Sequence, residues 1–279
     1  MKGCSIERFS LSKYEGFEKP IVITECKIGN MDLNSSHFLE EISVRRCDIN
    51  TLVLSESTFQ KKVNFRRSRI GRGRVQRAVF KDAACFEEAF LGYTSFFQST
   101  FEQMADFSRT EYEGDATFAE STFKGDCKFI HGLLKVKGVF KKTEFFGKAD
   151  FKHMDVGADL EFQDALFHGE VLLNGSLVKL DIDFSSATLE GKTDLLNVTA
   201  GRNIVLNDVK LGPNQGFRFL NASASSIVLK RENVEGHVFP ENDGKYLNAS
   251  AEYGFLRTAF QKINRSEERR VGKECRSRW

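Results

Sequence analysis

An all-β fold wound as a parallel β-helix, with about 21–22 residues in each coil, is what this sequence predicts. Three observations predict it. Phe occurs 27 times in 279 residues while Pro occurs 3 times and Trp once, so one large apolar residue is being reused at equivalent places. From Ile6 to Phe217 an apolar residue recurs every five or six positions, at forty sites that take in nineteen of the 27 Phe. The steps are themselves ordered, and a small residue stands two places before most of those sites, which is the mark of an internal repeat.

The order of the steps defines the coils. From Ile23 to Phe107 they run 5, 5, 5, 6 four times over, giving 21-residue units that begin at Ile23, Val44, Phe65 and Phe86. Beyond Phe107 they alternate 5 and 6, giving 22-residue units that begin at Phe107, Phe129, Phe151, Leu173 and Leu195. In a short extended segment alternate side chains face opposite ways, so the large residue and the small one two before it both point inward. Four such sides close one coil, and there is room inside for a Phe from each side only if its inward partner is small. Successive coils then stack about 4.8 Å apart through parallel backbone ladders.

Ser57, Ala78, Ser99, Ala105, Ser121 and Thr143 illustrate the small site, and Cys4, Cys26, Cys47 and Cys127 occupy it too. These four cysteines therefore read as small buried hydrophobes rather than metal or redox groups. Cys85 lies one place later and is expected to face outward. No C-x-x-C pair occurs, Met1-Lys2-Gly3 leads straight into mixed polar sequence, and no window reaches the 18 or so apolar residues that span a bilayer. A reducing, cytoplasmic setting is the expectation.

Ala116-Thr117-Phe118, Ser121-Thr122-Phe123, Ala105-Asp106-Phe107, Ala149-Asp150-Phe151, Ala187-Thr188-Leu189 and Ser57-Thr58-Phe59 resemble the pentapeptide-repeat family, whose pattern is a small residue, a polar one, then Leu or Phe and two variable positions. The resemblance spans residues 4–217 and implies a right-handed quadrilateral β-helix. The regular sixth residue departs from the family's strict five. It implies a bulged corner in each coil and leaves a triangular parallel β-helix open.

A stacked rod exposes an unpaired edge at each end unless it is capped. Ala222, Val228, Val234 and Phe239 are expected to fill one last coil, completing a β-helix over residues 1–239. Pro240 to Gly244 breaks the pattern. In residues 240–264, Asn248 or Ser250 caps a helix whose Tyr253, Leu256, Phe260 and Ile263 share one face, either covering the last coil or pairing two chains. Residues 265–279 break sharply in composition and resemble a translated vector or adapter tail, so they are expected to be non-native or disordered, with the natural chain continuing past Asn264.

The 41 Lys and Arg against 39 Asp and Glu leave a formal charge of +2, which favours neither a polyanion binder nor an acidic mimic of nucleic acid. Glycine loops for phosphate and nucleophile elbows are absent, and His37, His131, His153, His168 and His237 show no ligand spacing, so neither a cofactor nor a metal is expected. Asp181 and Asp183 flank the inward Ile182 and should both point outward; two carboxylates on one side are the slight hint of a sugar-cleaving β-helix.

The most distinctive surface feature is Arg66, Arg67, Arg69, Arg72, Arg74 and Arg77, six arginines in one coil, with Lys61 and Lys62 just before them. The register puts all of them outside or at corners. They are a candidate anion or partner site, or else a solvated band balanced by Asp82, Glu87 and Glu88 of the next coil. No aromatic is expected to interleave them, since Phe65, Phe80 and Phe86 point inward, so nucleic acid is not favoured. The function these features support is a non-catalytic scaffold for an unidentified protein partner. Three alternatives stand behind it: the topoisomerase-binding DNA mimicry that the family resemblance implies, a membrane-tethered domain with its anchor beyond this chain, and a carbohydrate-active enzyme.

Overall fold

The computed structural model describes residues 1–212 and 216–229. In it the chain forms a parallel β-solenoid of about ten coils, each strand paired in parallel with its counterpart one coil away. Ile28 lies opposite Ile49, and Phe80 lies between Phe59 and Phe101. Thirty-six of the forty register sites are buried, and the other four (Ile6, Leu11, Phe17 and Leu211) are half-buried against the core.

The interior is built largely of rings. Phe38, Phe59, Phe80, Phe101, Phe123, Phe145 and Phe167 form one column, with successive centroids 4.6–5.3 Å apart and planes within 14° of parallel. Phe65 to Phe151 and Phe96 to Phe184 form two more, and the columns meet edge to face, as Phe107 does with Phe118 at 5.0 Å and 77°. Offset stacking along a column and edge contact across it are the two arrangements that aromatic quadrupoles favour. The fourth column is mainly aliphatic, running through Ile28, Ile49, Ile70 and Leu91 before Tyr112 interrupts it.

Strand pairing yields three sheets, of 15, 9 and 10 strands, although the inward columns number four, because one sheet bends around a corner. In the early coils a single strand covers two sides, as in Arg69–Arg74 and Phe90–Ser95. Phe90–Ser95 then pairs with both Glu111–Tyr112 and Ala116–Thr117, with offsets of 21 residues at Phe90 and 22 at Ser95. The extra residue of the longer coils therefore enters between Tyr112 and Phe118, where the step pattern places it. It does not bulge a strand, as the sequence led us to expect; it breaks one strand into two around a bend at residues 113–115.

Two corners of each coil turn through a left-handed residue, such as Arg67 (φ 57°) and Arg77 (φ 53°), then Glu88 (φ 57°) and Gln98 (φ 55°). An L-residue there costs about 1–2 kcal/mol. The residue that follows is the small one, and hydrogen bonding as well as room decides its identity. Ser57 Oγ accepts the Ser36 N–H at 3.1 Å and donates to the Leu33 carbonyl at 2.6 Å; Ser68, Ser121 and Ser176 make the same double bond. Cys47 substitutes for serine, its sulfur accepting the Cys26 N–H at 3.5 Å and donating to the Arg45 carbonyl at 3.3 Å. Burial pushes the Cys47 thiol pKa up, which keeps it a donor. Cys26, Cys47 and Cys127 are buried as the register requires, and Cys85 is half-buried at its outward place. Cys4 is exposed, because it lies in the first coil, where a partner coil is present on one side among the described residues.

The register slips once. Thr193 pairs with Phe217, 24 residues on, so Phe217 falls in the small-residue column and Phe219 takes the large-residue place beneath Leu195. The last coil is accordingly filled by Ile227 and Leu229, while Val228, expected inward, is exposed. Val234, Phe239, the helix expected within residues 240–264 and the tail 265–279 lie outside the described residues. No helix occurs among the described ones, so none is long and apolar enough to cross a membrane.

Candidate functional site

The coil that begins at Phe65 carries all six arginines outward, as the register requires. Charge at the corners is matched at one-coil spacing. Arg66 reaches Glu87 at 3.0 Å and Glu88 at 3.3 Å, Arg67 also binds Glu88, and Arg109 approaches both carboxylates from the following coil at 4.0 Å. Hydrogen bonding from Arg67, opposed by desolvation and reinforced by Arg66, holds the Glu88 carboxyl down at about 2. Arg77 pairs with Glu56 of the preceding coil. Glu87 and Glu88 thus balance the band as the charge pattern suggested, whereas Asp82 caps the Ala83 N–H at 2.7 Å instead.

The flat side between those corners is different. Arg69 lies over the Phe90 ring at 3.7 Å. Arg72 and Arg74, both exposed, have no ion pair among the described residues. Arg72 is flanked along the rod by Thr51 and Tyr93, and Arg74 by Val53 and Ser95, so neither has a carboxylate in its own row on either side. Tyr93 is 69% exposed. The expectation that no aromatic interleaves the arginines is therefore overturned: Phe90 and Tyr93 face outward one coil below Arg69 and Arg72. The register itself carries the signal, since these two rings fall off the inward phase.

Beside Arg74 and Tyr93 lies an open groove of about 510 Å³, bordered by Gly114, Asp115 and Val136. It sits where the coil lengthens. Its carboxylates are engaged, with Glu113 held by Lys135 at 2.7 Å and Asp115 by Lys137 at 3.9 Å. A second groove, at the corner nearer the N-terminus, is lined by Arg45, Arg46, Arg66 and Arg67 with Lys2 and Glu25. Arg45 and Arg46 do not stand out in the sequence because they lie a full coil before the band.

Other chemistry-bearing side chains support the coil. Asp181 accepts the backbone and side-chain N–H of Asn203, both at 2.8 Å, and Asp183 accepts from Gln163 at 2.6 Å and from Ser185. The pair suggested as a sugar-cleaving site thus has its lone pairs committed to backbone and neighbours. His168 bridges Glu190 at 2.6 Å and Glu144 at 3.3 Å; burial opposes its charge, but the two carboxylates outweigh it and raise its pKa. His131 stacks on His153 at 5.0 Å, and His37 bonds Gln60. Among the described residues no group of three or more His, Cys, Asp or Glu could hold a metal.

No protein-family model matches the chain, and neither does any curated protein. Among solved structures it is similar to HetL, a pentapeptide repeat protein involved in heterocyst differentiation regulation from the cyanobacterium Nostoc sp. strain PCC 7120, at 13% identity and a TM-score of 0.24, covering 78% of this chain and 90% of that one. The pentapeptide-repeat architecture of this chain stands on its own columns rather than on that likeness.

Proposed function

We propose that this pentapeptide-repeat solenoid is a non-catalytic scaffold that presents a flat side to a macromolecular partner, the arginine-bearing side being the contact. The observation that supports this reading is the filled interior. Columns of large residues occupy the inside, so the polar chemistry is spread over outward ladders rather than gathered in a cleft. A stacked rod of this kind is rigid, and rigidity lowers the ordering cost of binding.

Photo-crosslinking from single outward positions on each of the four sides tests it. Crosslinks to a partner should concentrate on the Arg69–Arg74 side. An even spread over all sides, or turnover of glycosides or nucleotides by the purified chain, overturns the reading.

A further inference from the structure

We propose that the outward face of the Arg69–Arg74 strand docks an acidic, extended protein segment whose carboxylates at alternate positions meet Arg72 and Arg74. This rests on the scaffold reading and names the partner's chemistry. Four of the six arginines in the coil are already held, by Glu87, Glu88, Glu56 and the Phe90 ring, and the two that remain have neutral neighbours along the rod on both sides. Where the corners meet charge with charge one coil away, this side leaves two guanidinium groups for something outside the coil.

Spacing selects the shape of the segment. Arg72 and Arg74 are alternate residues of one strand, so they project from the same face with backbones about 6.7 Å apart. An extended peptide repeats its own same-side residues at that distance, so an acid-x-acid sequence lying along the strand matches both arginines at once. Guanidinium and carboxylate are the pair best suited to two-point recognition. The adjoining groove, with Tyr93 at its edge and Val136 39% exposed, gives an apolar residue beside the acid pair a surface to cover. Its own Glu113 and Asp115 are neutralised by Lys135 and Lys137 and do not repel the incoming acids.

Single-stranded nucleic acid fits less well. It needs successive stacking platforms in a basic groove, whereas Phe90 is already covered by Arg69 and the chain's formal charge is only +2.

Fluorescence anisotropy on the full chain tests the proposal, using a fluorescein-labelled twelve-residue peptide alternating Glu and Thr with one central Leu, and a labelled oligo(dT) of equal length. The peptide should bind at low salt, lose at least about tenfold in affinity in R72E/R74E, and keep its affinity in K61E/K62E. A peptide with Lys replacing Glu should bind R72E/R74E, which shows that the variant is folded and that charge is read at these positions. Peptide binding that ignores R72E/R74E, or none at all, removes this site; if crosslinks still concentrate on one side, the scaffold reading survives it. Tighter binding of oligo(dT) through the same arginines overturns the proposal in favour of nucleic acid.

Discussion

Phe107 tests the account of the core most directly. Its ring is fully buried, stacked between Phe86 at 5.1 Å and Phe129 at 5.0 Å, and met edge-on by Phe96 at 5.2 Å and Phe118 at 5.0 Å. Replacing a buried Phe by Ala costs about 3–5 kcal/mol. Truncation deprives two stacked rings and two edge-on rings of their partner, and each aromatic pair contributes about 0.5–1.5 kcal/mol beyond its area, so the upper half of that range is expected. The cavity cannot collapse easily, because the backbone on each side is held by ladder bonds such as Phe107 N–H to the Lys128 carbonyl at 2.7 Å. For a chain of this size about 4 kcal/mol lowers the melting temperature by roughly 8–16 °C. Thermal unfolding followed by far-ultraviolet circular dichroism reads it. Phe146, outward and 46% exposed, is the control, and Phe146→Ala should stay within about 0.5 kcal/mol of the wild type. A fall of under about 3 °C for Phe107→Ala, or an equal fall for Phe146→Ala, refutes the argument that the ring columns carry the stability.

Three further outcomes follow from particular side chains. The Tyr112 hydroxyl is buried with no hydrogen-bond partner, so Tyr112→Phe should raise stability by about 1 kcal/mol in a denaturant titration; a loss means that the hydroxyl is bonded. At Gly191 an added Cβ would stand 2.0 Å from the Gly169 carbonyl oxygen, so Gly191→Ala should cost about 1–3 kcal/mol by the same titration, and a neutral result contradicts the coil packing at that corner. His168 has a folded pKa raised above 6.5. Its contribution is therefore full below about pH 6 and disappears as pH rises through the folded value. Stability measured between about pH 5.5 and 8.5 should decline in the wild type relative to His168→Gln, and parallel curves would dismiss the Glu144–His168–Glu190 bridge.

Whatever repeats is legible in the sequence. The inward phase is enforced at every coil by the same packing demand, so forty residues state it redundantly, down to the extra residue after Tyr112. The span from Thr193 to Phe217 is ambiguous because an insertion of two residues between sites leaves an apolar residue in either phase: Phe217 and Phe219 both look acceptable, and the choice depends on which one the backbone ladder places beneath Leu195. The serine hydroxyls at the small site read as compact, and their second task of joining neighbouring coils is invisible without the partners. Asp82 and Glu88 look alike as acids of the next coil, but the direction in which each corner sends its side chain decides which one meets an arginine. Phe90 and Tyr93 escape notice because a reading built on the inward phase treats every departure from it as noise.

The parallel register also limits how such a chain can change length. Each coil offers its neighbours the same ladder, so removing 22 consecutive residues between Phe129 and Phe151 would bring Phe107 directly onto Phe151 with corners, columns and hydroxyl bridges still matched. Removing five would rotate every later residue by a quarter turn, carrying the ring columns onto the wrong sides. Gene duplication and loss in this lineage are therefore quantised, and a rod of another length differs from this one by whole coils.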